Sequence, residues 1–513
     1  MPTANPRNLN AALLVMLWII AYALTVDSVF PLGDDLAHLV VDRGVPIPKR
    51  GLWISNRVVD GFFAAFTFQT FEPLYNVLPG IAARKDFVDL FRAFNALIYS
   101  TALGCAALLL HRTVCKWDGK GRLQILFAWF VALCALFQWM PPNAGMTDLF
   151  AYQVTAVITL GFLSITYPLS DLRSTASSPP SDQPFSRSKY LFLSLLAYLT
   201  AVGLEAFVAF AWLWILAHYL TSSRSFLRRF RTMSDRRSMF PSTFRGSLNR
   251  HTIALQFLLY SVWSIHALTT SGRTRTGLAA GPESMSWSNV ADLGLMAIRS
   301  PGAQLLILAM VCGVGYCLLR RIDVRGVSRD KLIDRDTVAF LSTFSLIVGA
   351  GYLAGLVALG VVTRIDYVND ARLVFPLKFI LLAQLLALSL SLLDSLVSET
   401  LKGVAVVVSL ACSVAVLTDQ LSLAAKQRET AEPIRDAFRR AALAQDEFVS
   451  VPFSLPNTIP GNEGYPLLPA AKAADWYRSS YRLMLNKYYG THFDQSGPVF
   501  RAEDDTVAPA PLR

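Results

Sequence analysis

Charged side chains are scarce in this sequence of 513 residues, of which 16% are charged and 53% are apolar. A soluble protein usually carries about a quarter charged residues, so the composition excludes an ordinary soluble domain. The six cysteines fall in apolar runs or in a basic loop and show no zinc-type spacing. The sequence therefore predicts neither a disulfide framework nor a cysteine-bound metal.

Two further absences narrow the class of protein. The chain has no N-x-S/T triplet, which favours a bacterial inner membrane over the secretory pathway. It also shows no internal repeat, which argues against transporter folds built from two similar halves. The net charge of +11 does not indicate a nucleic-acid partner, because the arginines concentrate in loops between apolar runs rather than among stacking aromatic residues.

Long apolar runs dominate the rest of the chain. Each is close to the length that a helix needs to cross about 30 Å of hydrocarbon. The runs are Leu9–Phe30, Phe91–His111, Leu123–Met140, Thr147–Leu169, Thr252–Thr270, Pro301–Leu319, Thr337–Val362, Arg372–Leu393 and Gly403–Thr418. They predict an all-α polytopic membrane protein.

Basic residues orient the predicted helices, since cytoplasmic loops are enriched in lysine and arginine. The basic loops are Arg112–Arg122, Leu172–Lys189, Ser223–His251 and Arg320–Arg335. Placing all four in the cytoplasm predicts about 11 transmembrane helices, with the N-terminus cytoplasmic and the C-terminus periplasmic. The triplet Ala21-Tyr22-Ala23 also fits a signal-peptide cleavage site, an alternative that leaves the remaining topology unchanged.

The same charge rule resolves two ambiguous segments. Val58–Ala82 contains Asp60 and Glu72, and we interpret it as interfacial helices on the outer surface rather than as a span. Tyr190–Leu220 is flanked by two basic loops, so we predict a hairpin of two short spans that breaks near Gly203. One long tilted helix would place a basic loop outside.

The predicted domain organisation has three parts. Residues 1–420 form a transmembrane domain, in which residues 31–90 are the first outer loop with its interfacial helices. Residues 421–501 form a small extracytoplasmic α+β segment, and residues 502–513 have the composition of a disordered tail. The predicted elements of the α+β segment are helices at Ala424–Ala444 and Ala470–Tyr489 and a strand at Glu447–Phe453.

The adjacent carboxylates Asp34 and Asp35 directly follow the first apolar run. Because paired carboxylates are costly to keep near hydrocarbon, we interpret them as part of a site; the alternative is that they only mark the membrane surface. Further polar residues share their side of the membrane in the predicted topology. These are His38, Asp42, Asn143, Asp148, Glu205, Arg273, Arg275, Arg364, Asp366, Asn369, Asp370 and Arg372. Acids and arginines on one face predict a site for an anionic, hydroxyl-bearing substrate, unless they are ordinary loop residues.

A family resemblance follows from this layout. The pair Asp34-Asp35, the stretch Trp53-Ile54-Ser55-Asn56-Arg57-Val58-Val59-Asp60 and the interfacial helices resemble polytopic glycosyltransferases of the GT-C superfamily. The closest type is the bacterial O-antigen glucosyltransferase, whose outer loop has Asp-Asp followed by Trp and Gly-Arg, although Asn56 stands where that type has Gly. The tail, with Trp476 and Asn486-Lys487-Tyr488-Tyr489-Gly490, looks like the Trp…Tyr-Tyr-Gly ending of related bacterial membrane proteins.

The resemblance implies sugar transfer at the outer face of the membrane, from a polyprenyl-phosphate-linked donor to a glycan or lipid acceptor of the cell envelope. It implies that Asp35 and Asp34 act as catalytic base or hold a divalent metal (Mg²⁺ or Mn²⁺). His38 lies one helical turn after Asp34, a spacing that fits a further metal ligand; the alternative is that it is simply solvated. The chemistry also asks for a base at the acceptor hydroxyl and for cations at the leaving phosphate. The expected substrate-binding residues are Arg364, Arg372, Lys378, Asp366, Asn369, Asp370, Arg57 and Glu205.

Alternatives stay open for several of these residues. Asp366, Asn369 and Asp370 could instead cap the following helix, and Glu205 could instead make a hydrogen bond between packed helices. A different function is also open, because a lipid or polysaccharide flippase or transporter would have a similar composition. A transporter usually needs ionisable groups near the middle of the bilayer, whereas the predicted topology places them at one face. A non-catalytic scaffold for envelope assembly is a third interpretation.

The predicted topology can be tested by cysteine labelling in intact cells. We expect a membrane-impermeant thiol reagent to modify a cysteine that replaces Asn457 in the tail, because the tail is predicted to be periplasmic. A cysteine that replaces Ser234 in the arginine-rich loop should stay unmodified. Equal labelling at both positions would show that the topology, and the grouping of the acids with it, is wrong.

Overall fold

The computed structural model describes residues 6–26, 87–114, 121–140, 149–169, 186–233, 250–262, 287–322, 324–363, 367–444, 448–451, 458–459, 462–466, 486 and 499–502. These residues are mostly helical. The helices are α1 (Pro6–Val26), α2 (Phe87–Val114), α3 (Arg122–Trp139), α4 (Thr155–Thr166), α5 (Arg187–Ala201), α6 (Glu205–Met233), α7 (250–262), α8 (Trp287–Arg299), α9 (Pro301–Leu319), α10 (Arg335–Thr363), α11 (Ala371–Ser395) and α12 (Glu399–Ala444). A π-helical segment, Leu149–Val154, leads into α4, and a 3₁₀ turn, Arg329–Lys331, precedes α10.

Within the described part of the chain, 7 helices are long and apolar enough to cross a membrane, namely α1, α2, α3, α9, α10, α11 and α12. Shorter apolar stretches occupy Tyr152–Thr166 and Glu205–Thr221. These lengths fit an integral membrane protein, as the composition predicts. The total of eleven crossings stays a prediction, because several predicted spans run into residues outside the described ranges.

Helix α11 lies at the centre of the bundle. It packs against α2, α3, α4, α6, α9 and α10, and 89% of its most apolar stretch is buried. Helices α1 and α12 lie at the periphery, where α1 packs on α2 and α12 packs on α3. The corresponding stretches of these two helices are only 28% and 22% buried, so most of their side chains face outward. A central helix surrounded in this way fixes the positions of its neighbours.

Two ends of the bundle are defined by contacts of α11. At its start, which we call the Arg372 end, the Tyr352 hydroxyl of α10 donates to the Leu373 carbonyl (2.9 Å). The Tyr99 hydroxyl of α2 donates to the Met140 carbonyl just after α3 (2.7 Å). At the other end, which we call the Tyr316 end, Tyr316 and Ser391 share a hydrogen bond of 2.6 Å. There the Ser328 amide also donates to the Ser395 carbonyl (2.7 Å), which ties the α9–α10 loop to the end of α11.

Helices α5 and α6 form a hairpin whose tip lies at the Arg372 end. The chain leaves the helix at Val202–Leu204, and Gly203 lies against Thr155 at the start of α4. Further along α6, the Trp214 indole donates to the Tyr167 carbonyl at the opposite end of α4 (3.2 Å). Since α6 follows α4 from its start to its end while α5 ends beside its start, α5 and α6 run antiparallel. The predicted break near Gly203 is confirmed, and a single long helix is excluded.

The run Thr147–Leu169 departs from the regular helix that the sequence predicts. Its first described residues form the π-helical segment, and the Thr155 hydroxyl donates to the Phe150 carbonyl five residues earlier (2.8 Å). The helix then stops at Thr166, because Pro168 disfavours a helical residue before it and cannot donate a backbone hydrogen bond. A π-helical turn of this kind is often found at functional sites.

Helix α12 joins two predicted elements into one. The sequence predicts a span over Gly403–Thr418 and a separate helix over Ala424–Ala444, but the residues between them contain neither proline nor glycine, and the helix is continuous. The Ser413 hydroxyl donates to the Phe130 carbonyl of α3 (2.7 Å). From that level α3 continues for nine residues and α12 for 31, so α12 continues for about 33 Å of helix length beyond α3 at the Arg372 end, with Pro433 inside this extension.

Short strands follow α12. Strand β1 (Phe448–Val451) pairs in parallel with β4 (Val499–Ala502), and β2 (Thr458–Ile459) pairs in antiparallel with β3 (Asn462–Pro466). The strand predicted after α12 is confirmed as β1, and residue 502 belongs to β4 rather than to the tail. The predicted interfacial helices, the rest of the tail and the predicted helix over Ala470–Tyr489, apart from Asn486, lie outside the described residues.

Close packing at the hairpin tip can be tested with glycine substitutions. Gly203→Ala would place a methyl group 2.7 Å from Thr155 Cγ2 and 3.2 Å from the Leu199 carbonyl oxygen. Because overpacking usually costs about 1–3 kcal/mol, we expect a lower midpoint of thermal unfolding in detergent. Gly315→Ala is the matched control, since its methyl group meets no atom within 4 Å. Equal midpoints for the two variants would contradict the hairpin packing.

Candidate functional site

A group of buried and half-buried polar side chains lies at the Arg372 end, and we call it the Arg372 cluster. It combines residues of α2, of the π-helical segment and of α11, which pack against one another. The exposed fraction is 2% for Arg92, 1% for Asn95, 5% for Gln153 and 8% for Lys378. The other members are Asp370 and Arg372. The Arg372 cluster therefore holds three basic side chains and one carboxylate, which gives it a net positive charge.

Asp370 and Arg372 form a closed pair on the first turn of α11. Asp370 Oδ1 accepts hydrogen bonds from the Arg372 backbone amide (2.9 Å) and from Arg372 Nε (3.1 Å). Asp370 Oδ2 accepts a third from Arg372 Nη2 (3.1 Å). Asp370 is therefore the N-cap of α11, which was one of the two roles that its position predicts. Its carboxylate also neutralises the guanidinium that the sequence proposes as a phosphate ligand.

An aromatic ring fixes the other side of this guanidinium. The Arg372 guanidinium carbon lies 4.4 Å from the centre of the Tyr152 ring in the π-helical segment. This cation–π distance is within the favourable range, so Tyr152 and Asp370 together hold Arg372 in place. We interpret Arg372 as a positioning residue that links α11 to the π-helical segment.

Lys378, unlike Arg372, has no carboxylate partner among the described residues. It lies six residues after Arg372, about 9 Å further along α11. Its Nζ is 5.7 Å from the centre of the Trp139 ring at the end of α3. Over the described ranges of the chain, Lys378 makes neither a hydrogen bond nor an ion pair. Lys378 is thus a mostly buried residue whose ammonium group has one aromatic face as its polar contact in the described part of the chain.

Lys402 shows how the same protein treats another buried ammonium group. Lys402 is 7% exposed, similar to Lys378, but its Nζ is paired with Glu399 Oε1 at 2.6 Å. Burial of an unpaired charge costs several kcal/mol, and a desolvated cation–π contact returns about 2 kcal/mol or somewhat more of it. Lys378 is therefore suited to accept an anionic ligand, and phosphate is a common anion for a lysine ammonium group.

Sequence reasoning missed the part of the cluster on α2. Arg92, Asn95 and Tyr99 are spaced three and four residues apart, so they share one face of α2. All three are buried, and this face is turned toward the end of α3 through the Tyr99–Met140 hydrogen bond. A signal was present, because an arginine and an asparagine three residues apart in an apolar run are expensive in a membrane and are usually functional.

The predicted site residues that the structure describes lie together at the Arg372 end. Asn369 is exposed beside Asp370, and Glu205 is half-buried at the tip of the α5–α6 hairpin. Among the described residues Glu205 makes no hydrogen bond or ion pair, so the alternative of a hydrogen bond between packed helices is not supported. The structure thus brings Glu205, Asn369, Asp370, Arg372 and Lys378 to one end of the bundle.

The remaining predicted site residues lie outside the described ranges. They are Asp34, Asp35, His38, Arg57, Arg364 and Asp366. Asp34 follows Val26 by eight residues, and Val26 lies at the Arg372 end because α1 runs antiparallel to α2, with Trp18 beside Thr101 and Leu14 beside Gly104. In the described part of the chain no group of three or more metal-ligating side chains occurs, so the predicted metal depends on residues outside it.

Comparisons with known proteins do not identify a family. No protein-family model matches the chain, and neither the curated proteins nor the solved structures give a match. The resemblance to GT-C glycosyltransferases therefore depends on the short sequence stretches alone.

The unpaired state of Lys378 has a consequence for stability. Lys378→Met replaces the ammonium group with an apolar side chain of similar length, which removes the cost of burying it. We expect the free energy of unfolding to rise by about 1–3 kcal/mol, measured by thermal or denaturant unfolding in detergent. The control Lys402→Met breaks an ion pair and should not raise it. A lower stability of Lys378→Met would mean that the charge has a structural partner.

Proposed function

We propose that this protein is a membrane glycosyltransferase that transfers a sugar from a polyprenyl-phosphate-linked donor to a glycan or lipid acceptor of the cell envelope. The observation that carries the proposal is the buried and unpaired Lys378 within a cationic cluster at one end of the bundle. A phosphate joined to a membrane lipid is an anion that can reach such a position from the bilayer. The sequence resemblance is the support for the other two parts of the proposal, a sugar donor and a transfer reaction.

Stabilising the leaving group is the role that fits Lys378. In the transfer, the acceptor oxygen bonds to the anomeric carbon, and the bond from that carbon to the phosphate oxygen breaks. The bonding electrons leave with the polyprenyl phosphate, and the added negative charge is stabilised by the Lys378 ammonium group. Arg372 is held by Asp370 and Tyr152, so its contribution is to position the start of α11 rather than to bind phosphate directly.

The base is proposed to be Asp35, with Asp34 in a supporting role. It takes the proton of the acceptor hydroxyl as that oxygen attacks. Support comes from chain connectivity, because eight residues after Val26 can span about 28 Å at most and α1 ends at the Arg372 end. Glu205 at the hairpin tip is a second carboxylate at the same end. A divalent metal, Mg²⁺ or Mn²⁺, enters this proposal only through Asp34, Asp35 and His38, and no step above depends on it.

The proposed arrangement in the membrane keeps the predicted topology of eleven crossings in a bacterial inner membrane. The N-terminus is then cytoplasmic, and the Arg372 end and the α+β C-terminal segment are periplasmic. The length of α12 supports placing these last two together, because its extension beyond α3 carries the strands away from the bundle on that side. The phosphate site and the C-terminal segment would therefore face the same compartment.

A lipid or polysaccharide transporter is the second candidate, and the α5–α6 hairpin is the observation that favours it. The tip of this hairpin, Val202–Leu204, is non-helical and buried among its neighbours, and buried non-helical backbone can line a transport path. An ionisable side chain that is buried two turns inside a membrane helix, as Lys378 is, also fits a transport path. Sugar transfer and lipid movement can be measured separately, so the two candidates are distinguishable.

Sugar transfer by the purified protein tests the proposal. With a polyprenyl-phosphate-linked donor, Asp35→Asn should lower kcat by about a hundredfold to ten-thousandfold, because it removes a positioned base while preserving shape. Lys378→Met should lower kcat and weaken donor binding, and Lys402→Met is the control with unchanged activity. Full activity in Asp34→Asn, Asp35→Asn and the double variant would contradict the proposal. Movement of polyprenyl phosphate across the proteoliposome membrane without sugar transfer would favour the transporter.

A further inference from the structure

An apolar groove lies on the outside of the bundle between α8, α9 and α10. Its volume is about 470 Å³, which is within the range of ligand-binding pockets. Five of its eight lining residues are alanine or glycine, so the groove exists because the side chains on its walls are short. The lining residues are Gly294, Ala297, Ile298, Ala303, Leu353, Ala354, Val357 and Ala358.

The groove is at the Arg372 end but is separate from the Arg372 cluster. Gly302, next to the lining residue Ala303, lies against Val374 in the first turn of α11. Arg372 is two residues before Val374, so the two side chains leave α11 on nearly opposite faces, and Arg372 is turned toward Tyr152 instead. A ligand in the groove would therefore occupy a different site from an anion at Lys378.

The surroundings of the groove indicate which class of ligand it can bind. The rim is apolar and outward-facing, with Leu295 and the lining residue Ile298 of α8 exposed by 52% and 63%. Because α9 is long and apolar enough to cross a membrane, this face meets the hydrocarbon of the bilayer. A groove with apolar walls that opens to hydrocarbon fits an alkyl chain and offers nothing to a sugar or a charged peptide.

Arg299 supplies a positive charge at one end of the groove, at the corner between α8 and α9. Ser300 caps α9 there by accepting a hydrogen bond from the Ala303 amide (3.2 Å), and the Gln304 side chain donates to the Arg299 carbonyl (3.0 Å). The Arg299 side chain is exposed and forms no hydrogen bond or ion pair in the described part of the protein. Asp292, on the same helix, is seven residues or about 10 Å away. Arg299 directly precedes the Ser300 cap of α9, so it lies where lipid phosphates lie.

We propose that this groove binds one acyl chain of an anionic membrane phospholipid, with the headgroup phosphate on Arg299. The short side chains of the groove give the chain room, and the guanidinium selects for net negative charge. This site goes beyond the proposed transferase reaction and would exist whether or not sugar transfer occurs.

Photo-crosslinking in nanodiscs tests this site on the full-length protein. The probe is phosphatidylglycerol with a diazirine on its acyl chain, compared with phosphatidylcholine carrying the same chain. We expect phosphatidylglycerol to label peptides from α8 and α10, including Ala354 and Val357. Gly294→Phe should reduce that labelling about tenfold, because excluding a couple of methylene groups from an apolar site has an effect of this size. A Cβ at Gly294 meets no atom within 4 Å, so the substitution does not clash at its point of attachment.

Matched variants separate a specific site from lipid that merely surrounds the protein. Gly315→Phe, also with open space at its Cβ but outside the groove, should keep wild-type labelling. Arg299→Gln should bring phosphatidylglycerol labelling down to the phosphatidylcholine level. Equal labelling by the two lipids in the wild type, or wild-type labelling in Gly294→Phe, would overturn the proposal. Displacement of the probe by polyprenyl phosphate but not by unlabelled phosphatidylglycerol would also overturn it, and would assign the groove to the donor lipid.

Discussion

The burial of α11 is the constraint on which the rest of the structure depends. A helix enclosed by its neighbours must satisfy each polar side chain from those neighbours, and most of its polar residues follow this rule. Gln384 donates to the Ala309 carbonyl at 3.3 Å and to Ser342 Oγ at 3.2 Å, which joins α11 to α9 and α10. Ser391 bonds to Tyr316, and Arg372 is paired with Asp370. Lys378 departs from the rule, because its ammonium group makes no hydrogen bond or ion pair in the described part of the chain.

The sequence predicts the helices well because each apolar run is close to the length of a membrane-spanning helix. The bounds of α9 match the predicted run Pro301–Leu319, and Gly203 marks the hairpin tip because a larger residue would meet Thr155. Other features could not be read from the sequence. The π-helical segment depends on a local hydrogen bond of Thr155, and α12 stays helical through its change to polar composition.

The candidate site was predictable only in part, for physical reasons. Asp370 and Arg372 stand out in sequence as polar residues at the start of an apolar run, but whether they bind a ligand or each other is decided by side-chain geometry. Arg92 and Asn95 gave a weaker signal, because polar residues near the end of a run are usual at a membrane surface. Their burial, together with that of Lys378, is a property of the packed bundle, in which α2, α3 and α11 meet.

The central claim is that Lys378 is kept unpaired in order to hold a lipid phosphate. Solid-state NMR can measure the dipolar coupling between the ³¹P nucleus of bound polyprenyl phosphate and lysine side chains labelled with ¹⁵N at Nζ. We expect one strong coupling, corresponding to a hydrogen-bonded ammonium–phosphate pair, that is lost in Lys378→Met and retained in Lys402→Met. Absence of a coupling in the wild type, or a coupling that survives in Lys378→Met, would contradict the claim.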